Sequence, residues 1–462
     1  MRILILSEHE KVRSSNVLKL FLRLRKQLVR WEMAQAIDAV HAPSKIRWLL
    51  LGIVFMSCLI AYLDRVNLSV CATFIMEDMK FDRVQLGYAM SAFFAAYALT
   101  QIPGGILAER WGIRKNGAFA MFWWSLFTFL TPHAWGFASF VVVRFLFGLG
   151  EGPLYPNNGF FFAKWFSSKE KAIANSWMSA GTLLGPALGP PLTVFLVTHT
   201  SWHWAFYVFG LAGFIATALW WIYARDTPAE HPKINDAELL LITEQTNIQD
   251  AVSEATKKIK TPWGKFLKNH RFWAIGFQYM ANNYITFLFM SWVPLYLQQS
   301  RGVSFTQMGA LAGLPFLAAA ISTVLTSILS DKLVRMGKSK MLTRSAFGFF
   351  GMSGCAVFLY FATQVDTVAQ NIILLSLSYG FLGFNLTAAW AACQDIGGKY
   401  GGTVATWMNF WGTIAGVAAP VLTALFVDWV GWENAFVIST AIVGSGALTW
   451  LVINPDKKLV ED

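Results

Sequence analysis

The sequence predicts an all-α membrane protein whose twelve transmembrane helices form two six-helix pseudo-repeats. Three observations carry this: a composition 55% apolar and 14% charged, a dozen apolar runs of membrane-crossing length, and landmarks that recur at near-constant spacing. Soluble domains carry about 25% charged residues, so the composition points away from a water-soluble fold. A membrane-crossing helix takes roughly 20 residues, and twelve fit within the 462 present. The strand alternation of a transmembrane barrel is missing. A disordered chain and a disulfide-built secreted domain are excluded on the same grounds. Cys58, Cys71, Cys355 and Cys393 lie in or beside apolar runs without paired spacing and read as small hydrophobes.

In chain order, spans 1 to 6 occupy about 46–64, 86–108, 116–134, 137–161, 172–197 and 202–224. Spans 7 to 12 follow at about 271–298, 306–329, 343–363, 368–392, 402–427 and 433–453. Helices suit these runs because a helix satisfies its own backbone in lipid. The chain thus divides into a basic tail (1–45), a six-helix half (46–224), a polar linker (225–270), a second half (271–453) and a short tail (454–462). Val17–Trp31 is basic and amphipathic; it reads either as a helix lying on the membrane surface or as residues preceding an internal start at Met33.

The charges orient the spans. With both termini on one side, 32 of the 37 Lys and Arg fall in that side's tails and loops, and only Lys80, Arg83 and Arg301 in the opposite loops. Such a bias marks the cytoplasmic side, here of a cell inner membrane. The net charge of +11 is therefore assigned to topology and anionic lipid, with no role for nucleic acid.

The two halves echo each other. Gly105-x3-Glu109-Arg110-x-Gly112-x-Arg114-Lys115 follows span 2, and Ser327-x3-Asp331-Lys332-x2-Arg335 follows span 8, with the acids 222 residues apart. Gly181-x3-Gly185 in span 5 and Gly412-x3-Gly416 in span 11 are offset by 231. Trp202-x2-Ala205-Phe206 and Trp432-x2-Ala435-Phe436 are offset by 230. Two parallel repeats around a central site give the geometry of alternating access. The loop GGILAERWGIRK (Gly104–Lys115) resembles the signature loop of the major facilitator superfamily, with Glu109 where Asp is usual. The resemblance covers about 45–455 and implies a monomeric transporter whose Gly105, Glu109, Arg110, Gly112, Arg114 and Asp331 take part in latching the halves.

Ionisable residues at membrane depth are confined to Asp64 and Arg65 at the end of span 1 and Arg144 and Glu151 in span 4. A charge in the bilayer costs at least about 2.5 kcal/mol, so such groups normally face a cavity and mark a substrate or proton path. Arg144 and Glu151 are seven apart and share a helix face; Asp64 and Arg65 are adjacent and cannot point the same way. The expected arrangement pairs Asp64 with Arg144 and leaves Arg65 projecting into the cavity for bidentate capture of a carboxylate. Asp64 and Glu151 then carry the protons, linked by Arg144. The alternative is a pair of static salt bridges joining spans 1 and 4.

YLDRVNLSV (Tyr62–Val70), RFLFGLGEGPLYPNN (Arg144–Asn158) and KWF (Lys164–Phe166) resemble the anion:cation symporter family, which includes galactonate, hexuronate and glucarate carriers and sialin-like transporters. The resemblance implies proton-coupled import of an organic anion such as a hexonate, hexuronate or aldarate. Protons serve as the coupling ion, and no other cofactor is expected. It further implies protonation at Asp64 and Glu151, substrate contacts at Arg65 and Tyr97, and contacts in the second half at Trp390 and Asn409. The span 5 position where galactonate carriers place a Gln is Gly181 or Thr182 here, which argues against copying the substrate.

Independently of any family, Gln278, Asn282, Asn283 and Tyr284 form a polar island in span 7. They read as donors and acceptors for sugar hydroxyls or as amides cementing helices. Asn157 and Asn158 follow Pro153 and Pro156, where span 4 should bend, and either line the cavity or satisfy freed backbone groups. His199 and His203 make an incomplete metal site. Among rival functions, Gly181-x3-Gly185-Pro186-x2-Gly189 resembles the motif of drug:proton antiporters, and a transport-dead sensor lacks room for a signalling domain. No metal cluster, Ser-His-Asp set or Walker loop suggests an enzyme or primary pump.

Overall fold

The computed structural model of the chain describes residues 42–167, 170–243 and 261–460. Val17–Trp31 and most of the 1–45 tail lie outside the described residues. All twelve spans are helical, with boundaries shifted where polar residues continue a helix. Span 1 is Ile46–Val70, so Asp64 and Arg65 sit within the helix and not at its end. The apolar run stops at Asp64, but the helix continues because Asp64, Arg65, Asn67 and Ser69 are all buried against neighbouring spans.

Spans 2 and 3 run as one helix, Arg83–Leu130, broken at Gly112 (φ 82°, ψ 162°). Only glycine takes that φ without strain, and a Cβ there would also collide with the Asp226 carboxylate. Spans 11 and 12 repeat the device as Gly401–Thr449, broken at Gly431 (φ 81°). Span 4 is split into Phe137–Glu151 and Leu154–Trp165, because Pro153 and Pro156 deny two backbone donors to the helix. Span 5 is Lys171–His199 and span 6 Trp202–Tyr223. Span 7 is His270–Gln299, span 8 Phe305–Arg335 and span 10 Val368–Gly397. Span 9 begins with a π-helical turn, Met341–Ala346, and continues as Phe347–Thr363.

The 225–270 segment is not uniformly extended. Residues 236–243 are helical, and the fully buried Glu238 carboxylate accepts from Arg47 Nη1 at 2.7 Å and from the Arg47 backbone at 3.3 Å, at the start of span 1.

Close helix packing sets the site. A Cβ on Gly181 would lie 2.6 Å from the Phe55 carbonyl, so the Gly181, Gly185 and Gly189 stripe is the seam through which span 5 meets span 1. Gly104 and Gly152 seat span 2 against span 4 in the same way.

At the end of the bundle opposite the termini the halves are joined. Arg83, opening span 2, is ion-paired with Asp428 near the end of span 11, donates to Gln299 at 2.9 Å and stacks 5.2 Å from the Trp432 ring. Exposed pairs contribute about 0–1 kcal/mol, so Asp428→Lys is expected to raise the population open at this end roughly two- to fivefold, repulsion replacing attraction. Spin labels at Lys80, in the turn before span 2, and at Trp429, beside the Gly431 break, read this as a longer-distance population, and the swap Arg83→Asp with Asp428→Arg should reverse it. An unchanged distance distribution in Asp428→Lys would assign closure to the contacts other than this ion pair.

Candidate functional site

Between the halves lies a cavity of about 170 Å³. Span 1 contributes Tyr62 and span 5 contributes Thr182, Leu183 and Pro186; the facing wall comes from spans 7, 8 and 10, including Tyr279, Asn282, Asn283, Thr286, Thr323 and Tyr379. Uncharged hydroxyl and amide groups interspersed with rings therefore line it, a surface suited to a hydroxylated solute.

The charged residues gather beside Tyr62. Span 1's Arg65 donates from Nε to Glu151 Oε1 of span 4 at 2.6 Å, and its Nη2 contacts the same oxygen. The guanidinium lies 4.4 Å from the Tyr62 ring centre, 4.8 Å from Tyr97 and 5.2 Å from Phe93. Rings on several sides hold the cation in place as well as the carboxylate does. Arg144 also packs on Phe93, 5.4 Å from that ring, and lies 4.6 Å from Phe147.

This arrangement corrects the expected pairing. Arg65 is held by Glu151 and stands behind Tyr62; it is not among the residues lining the larger cavity, and Asp64 forms no ion pair with Arg144. A buried guanidinium next to a buried carboxylate has no better partner than that carboxylate. Arg144 lies near Asp64, and around them Asp64 Oδ1 and Oδ2, Thr128 Oγ1 and Arg144 Nε are all buried without a hydrogen-bond partner, as is Glu151 Oε2. Arg65 and Arg144 also border a small void of about 10 Å³ with Phe93, Ser291 and Met290. Met290 borders the larger cavity as well, so the two spaces adjoin.

The remaining predicted residues separate into groups. Asn282 and Asn283 face the cavity. Gln278 does not: it is fully buried, donates to the Ile275 carbonyl at 3.2 Å and accepts from Asn385 Nδ2 at 3.1 Å, so it cements the second half. Trp390 is 43% exposed with its ring 6.1 Å from Tyr279, which does line the cavity. Asn409 of span 11 meets Gln101 of span 2 at 3.5 Å, across the halves. Asn157 bonds Asn116 at 3.1 Å and Asn158 contacts the sulfurs of Cys58 and Met178; both hold spans together. His203 lies 3.7 Å from Asp78, and His199 contacts the Phe195 carbonyl. The described residues hold no group of three or more metal-ligating side chains.

In the loop after span 2, the backbone N–H of Arg114 donates to Asp226 Oδ1 at 2.9 Å, and its guanidinium donates to the Trp221 carbonyl at 3.0 Å and covers the Trp221 ring. Arg114 is thus tied to the end of span 6 in its own half, and not to the other half as the resemblance implied. Glu109, Arg110 and Asp331 are exposed and form no ion pair among the described residues. Thr182, named with Gly181 as the position where galactonate carriers place a Gln, lines the cavity; Tyr62, Thr286, Thr323, Tyr379, Gln101 and Asp226 are not singled out by the sequence. Of these only Tyr62 carried a signal, one helical turn before Arg65.

Residues 54–420 match the model of the Major Facilitator Superfamily. The chain belongs to that superfamily. As a member it is a transporter, not an enzyme, and it works without a resident cofactor. It is 32% identical over 412 residues to a probable sulfoacetate transporter of Cupriavidus necator, covering 89% of this chain and 94% of the relative. It is also 32% identical over 437 residues to a probable galactarate/D-glucarate transporter of Bacillus subtilis, covering 90% and 94%. Among solved structures, a bacterial homologue of the human lysosomal transporter Spinster, inward-facing and occupied, superposes with a TM-score of 0.73 at 14% identity, over 89% of this chain and 97% of that one. A D-xylose-proton symporter superposes at 0.63 and 13%, over 89% and 99%. At these identities the two structures speak to the superfamily fold alone.

Proposed function

We propose that the protein is a monomeric, proton-coupled symporter that imports an organic anion, a hexonate, hexuronate or aldarate, by alternating access between its two six-helix halves. The observation that carries this is the Arg65 guanidinium, framed by Tyr62 and Tyr97 beside the inter-half cavity and held by the titratable Glu151. An anion in the cavity and the Glu151 carboxylate compete for one cation. Protonating Glu151 releases Arg65 toward the substrate; losing that proton returns Arg65 to Glu151 and expels the anion. Asp64, buried without a hydrogen-bond partner near Arg144, is the second proton carrier. Tyr97, Asn282, Asn283, Trp390 and Asn409 contribute neutral contacts to the hydroxylated body. Gln278 positions Asn282 through Asn385.

The names of the relatives support a small oxygen-rich anion. The positive-inside bias puts both termini in the cytoplasm, so the joined Arg83–Asp428 end faces outward and the state described is closed to the outside. A lipophilic-cation antiporter is disfavoured because Arg65 flanks the cavity and the span 5 glycines are accounted for by packing on span 1.

The test is substrate-induced proton movement in proteoliposomes holding a pH dye, across galactonate, gluconate, glucuronate, glucarate, sulfoacetate and a neutral sugar. External alkalinisation with one acid is expected, abolished in Asp64→Asn and in Glu151→Gln. Glu151→Gln should still exchange labelled for unlabelled anion, since Arg65 is then permanently released. Proton movement that survives in both variants would remove the coupling role of these carboxyls.

A further inference from the structure

The end of the linker and the C-terminal tail build a second basic site far from the transport cavity. The short helix Trp263–Leu267 leads into span 7, and the tail beyond span 12 folds back to meet it. The Leu459 backbone donates to the Ile396 carbonyl at 2.8 Å, Asn269 Nδ2 reaches the Leu459 carbonyl at 3.4 Å, and Arg271 Nη1 reaches the Lys457 carbonyl at 3.5 Å. These bonds hold open a concave pocket of about 890 Å³. Among the described residues, Lys265, Lys268, His270, Arg271, Lys457 and Lys458 line it, with Asp456 as the one acid. Cations held this close repel one another, so the arrangement gains from an anion placed between them.

The rim identifies the anion's source. Trp263 and Leu267, on the helix that carries Lys265, are 49% and 46% exposed. An exposed indole and aliphatic side chain at the end of two membrane spans belong at the headgroup level of a bilayer. A free solute leaves them in water, whereas a lipid offers phosphate to the lysines and glycerol and acyl carbons to Trp263 and Leu267. We propose that this pocket binds the headgroup of an anionic phospholipid, on the membrane face that carries the chain termini.

Native mass spectrometry of the full-length protein tests this, with phosphatidylglycerol and phosphatidylcholine offered in equal amounts. Wild-type protein is expected to retain phosphatidylglycerol preferentially. Combining Lys265→Gln, Lys268→Gln, Arg271→Gln and Lys457→Gln should lower that retention at least about tenfold. Lys332→Gln with Arg335→Gln and Lys338→Gln, which removes charge elsewhere on the same face, should not. Should the fourfold variant fail to fold, raising salt on the wild type is the substitute, because screening strips an electrostatically held headgroup. Equal retention of the two lipids, retention insensitive to both substitution and salt, or competition by inorganic phosphate as effective as by the lipid would each overturn the proposal.

Discussion

Arg65→Ala is expected to lower anion uptake at least about a hundredfold, the scale of truncating one partner of a buried charge pair. It is also expected to destabilise the protein, because Glu151 is fully buried, one of its oxygens relies on Arg65, and the other has no partner. Breaking a buried pair from one side costs about 3–5 kcal/mol. Two losses with different causes must be separated. Adding Glu151→Gln removes the stranded charge, so Arg65→Ala with Glu151→Gln should recover most of the melting temperature and none of the uptake. Arg65→Lys keeps the charge but loses the planar fork stacked between Tyr62 and Tyr97, and should retain stability with weakened substrate affinity. Uptake by Arg65→Ala within tenfold of wild type would dismiss Arg65 as the anion's partner.

The same pair shows where sequence was readable and where it was not. The twelve spans were legible because burying a backbone in lipid demands long apolar helices, and little else in a chain produces such runs. That Asp64, Arg65, Arg144 and Glu151 gather in one buried cluster was legible too, because charges at that depth are rare and seek one another. Which charge meets which was not. Arg65 and Glu151 are 86 residues apart, and their meeting depends on the rotation and relative depth of spans 1 and 4. Gly104 and Gly152 bring span 2, with Phe93 and Tyr97, against span 4, and span 1 meets span 4 across those rings. Gly112 was read as part of a signature loop, yet its positive φ lets two spans join with almost no loop between them. The neutral cavity wall was hardest to anticipate. A Thr or Tyr within an apolar run is common in any membrane helix, and only the fold brings Thr286, Thr323 and Tyr379 to one surface.

Asn385 stands out in no motif of the sequence, yet it carries the other large expected effect. Its side-chain amide is fully buried in span 10 and organises three helices. Nδ2 donates to Gln278 Oε1 at 3.1 Å and to Asn282 Oδ1 at 2.9 Å, while Oδ1 accepts from Trp450 Nε1 at 2.8 Å. Asn385→Ala strands all three partners. Each unsatisfied buried group costs about 1–3 kcal/mol, so a loss of roughly 3–5 kcal/mol is expected, read in a chain of 462 residues as a melting temperature lower by about 3–5 °C. The functional consequence follows from Asn282. With its oxygen occupied by Asn385, its Nδ2 is the group left to meet a substrate in the cavity it lines. Asn282→Ala should therefore weaken substrate affinity with a smaller fall in melting temperature, and Asn385→Ala should do both. Asn385→Asp keeps an acceptor for Trp450 but loses both donors, and in the apolar core its charge has no partner. It should be at least as damaging as alanine. If Asn385→Ala instead melted within about 1 °C of wild type, the amide cluster would be dispensable and the orientation of Asn282 would have to come from its own helix.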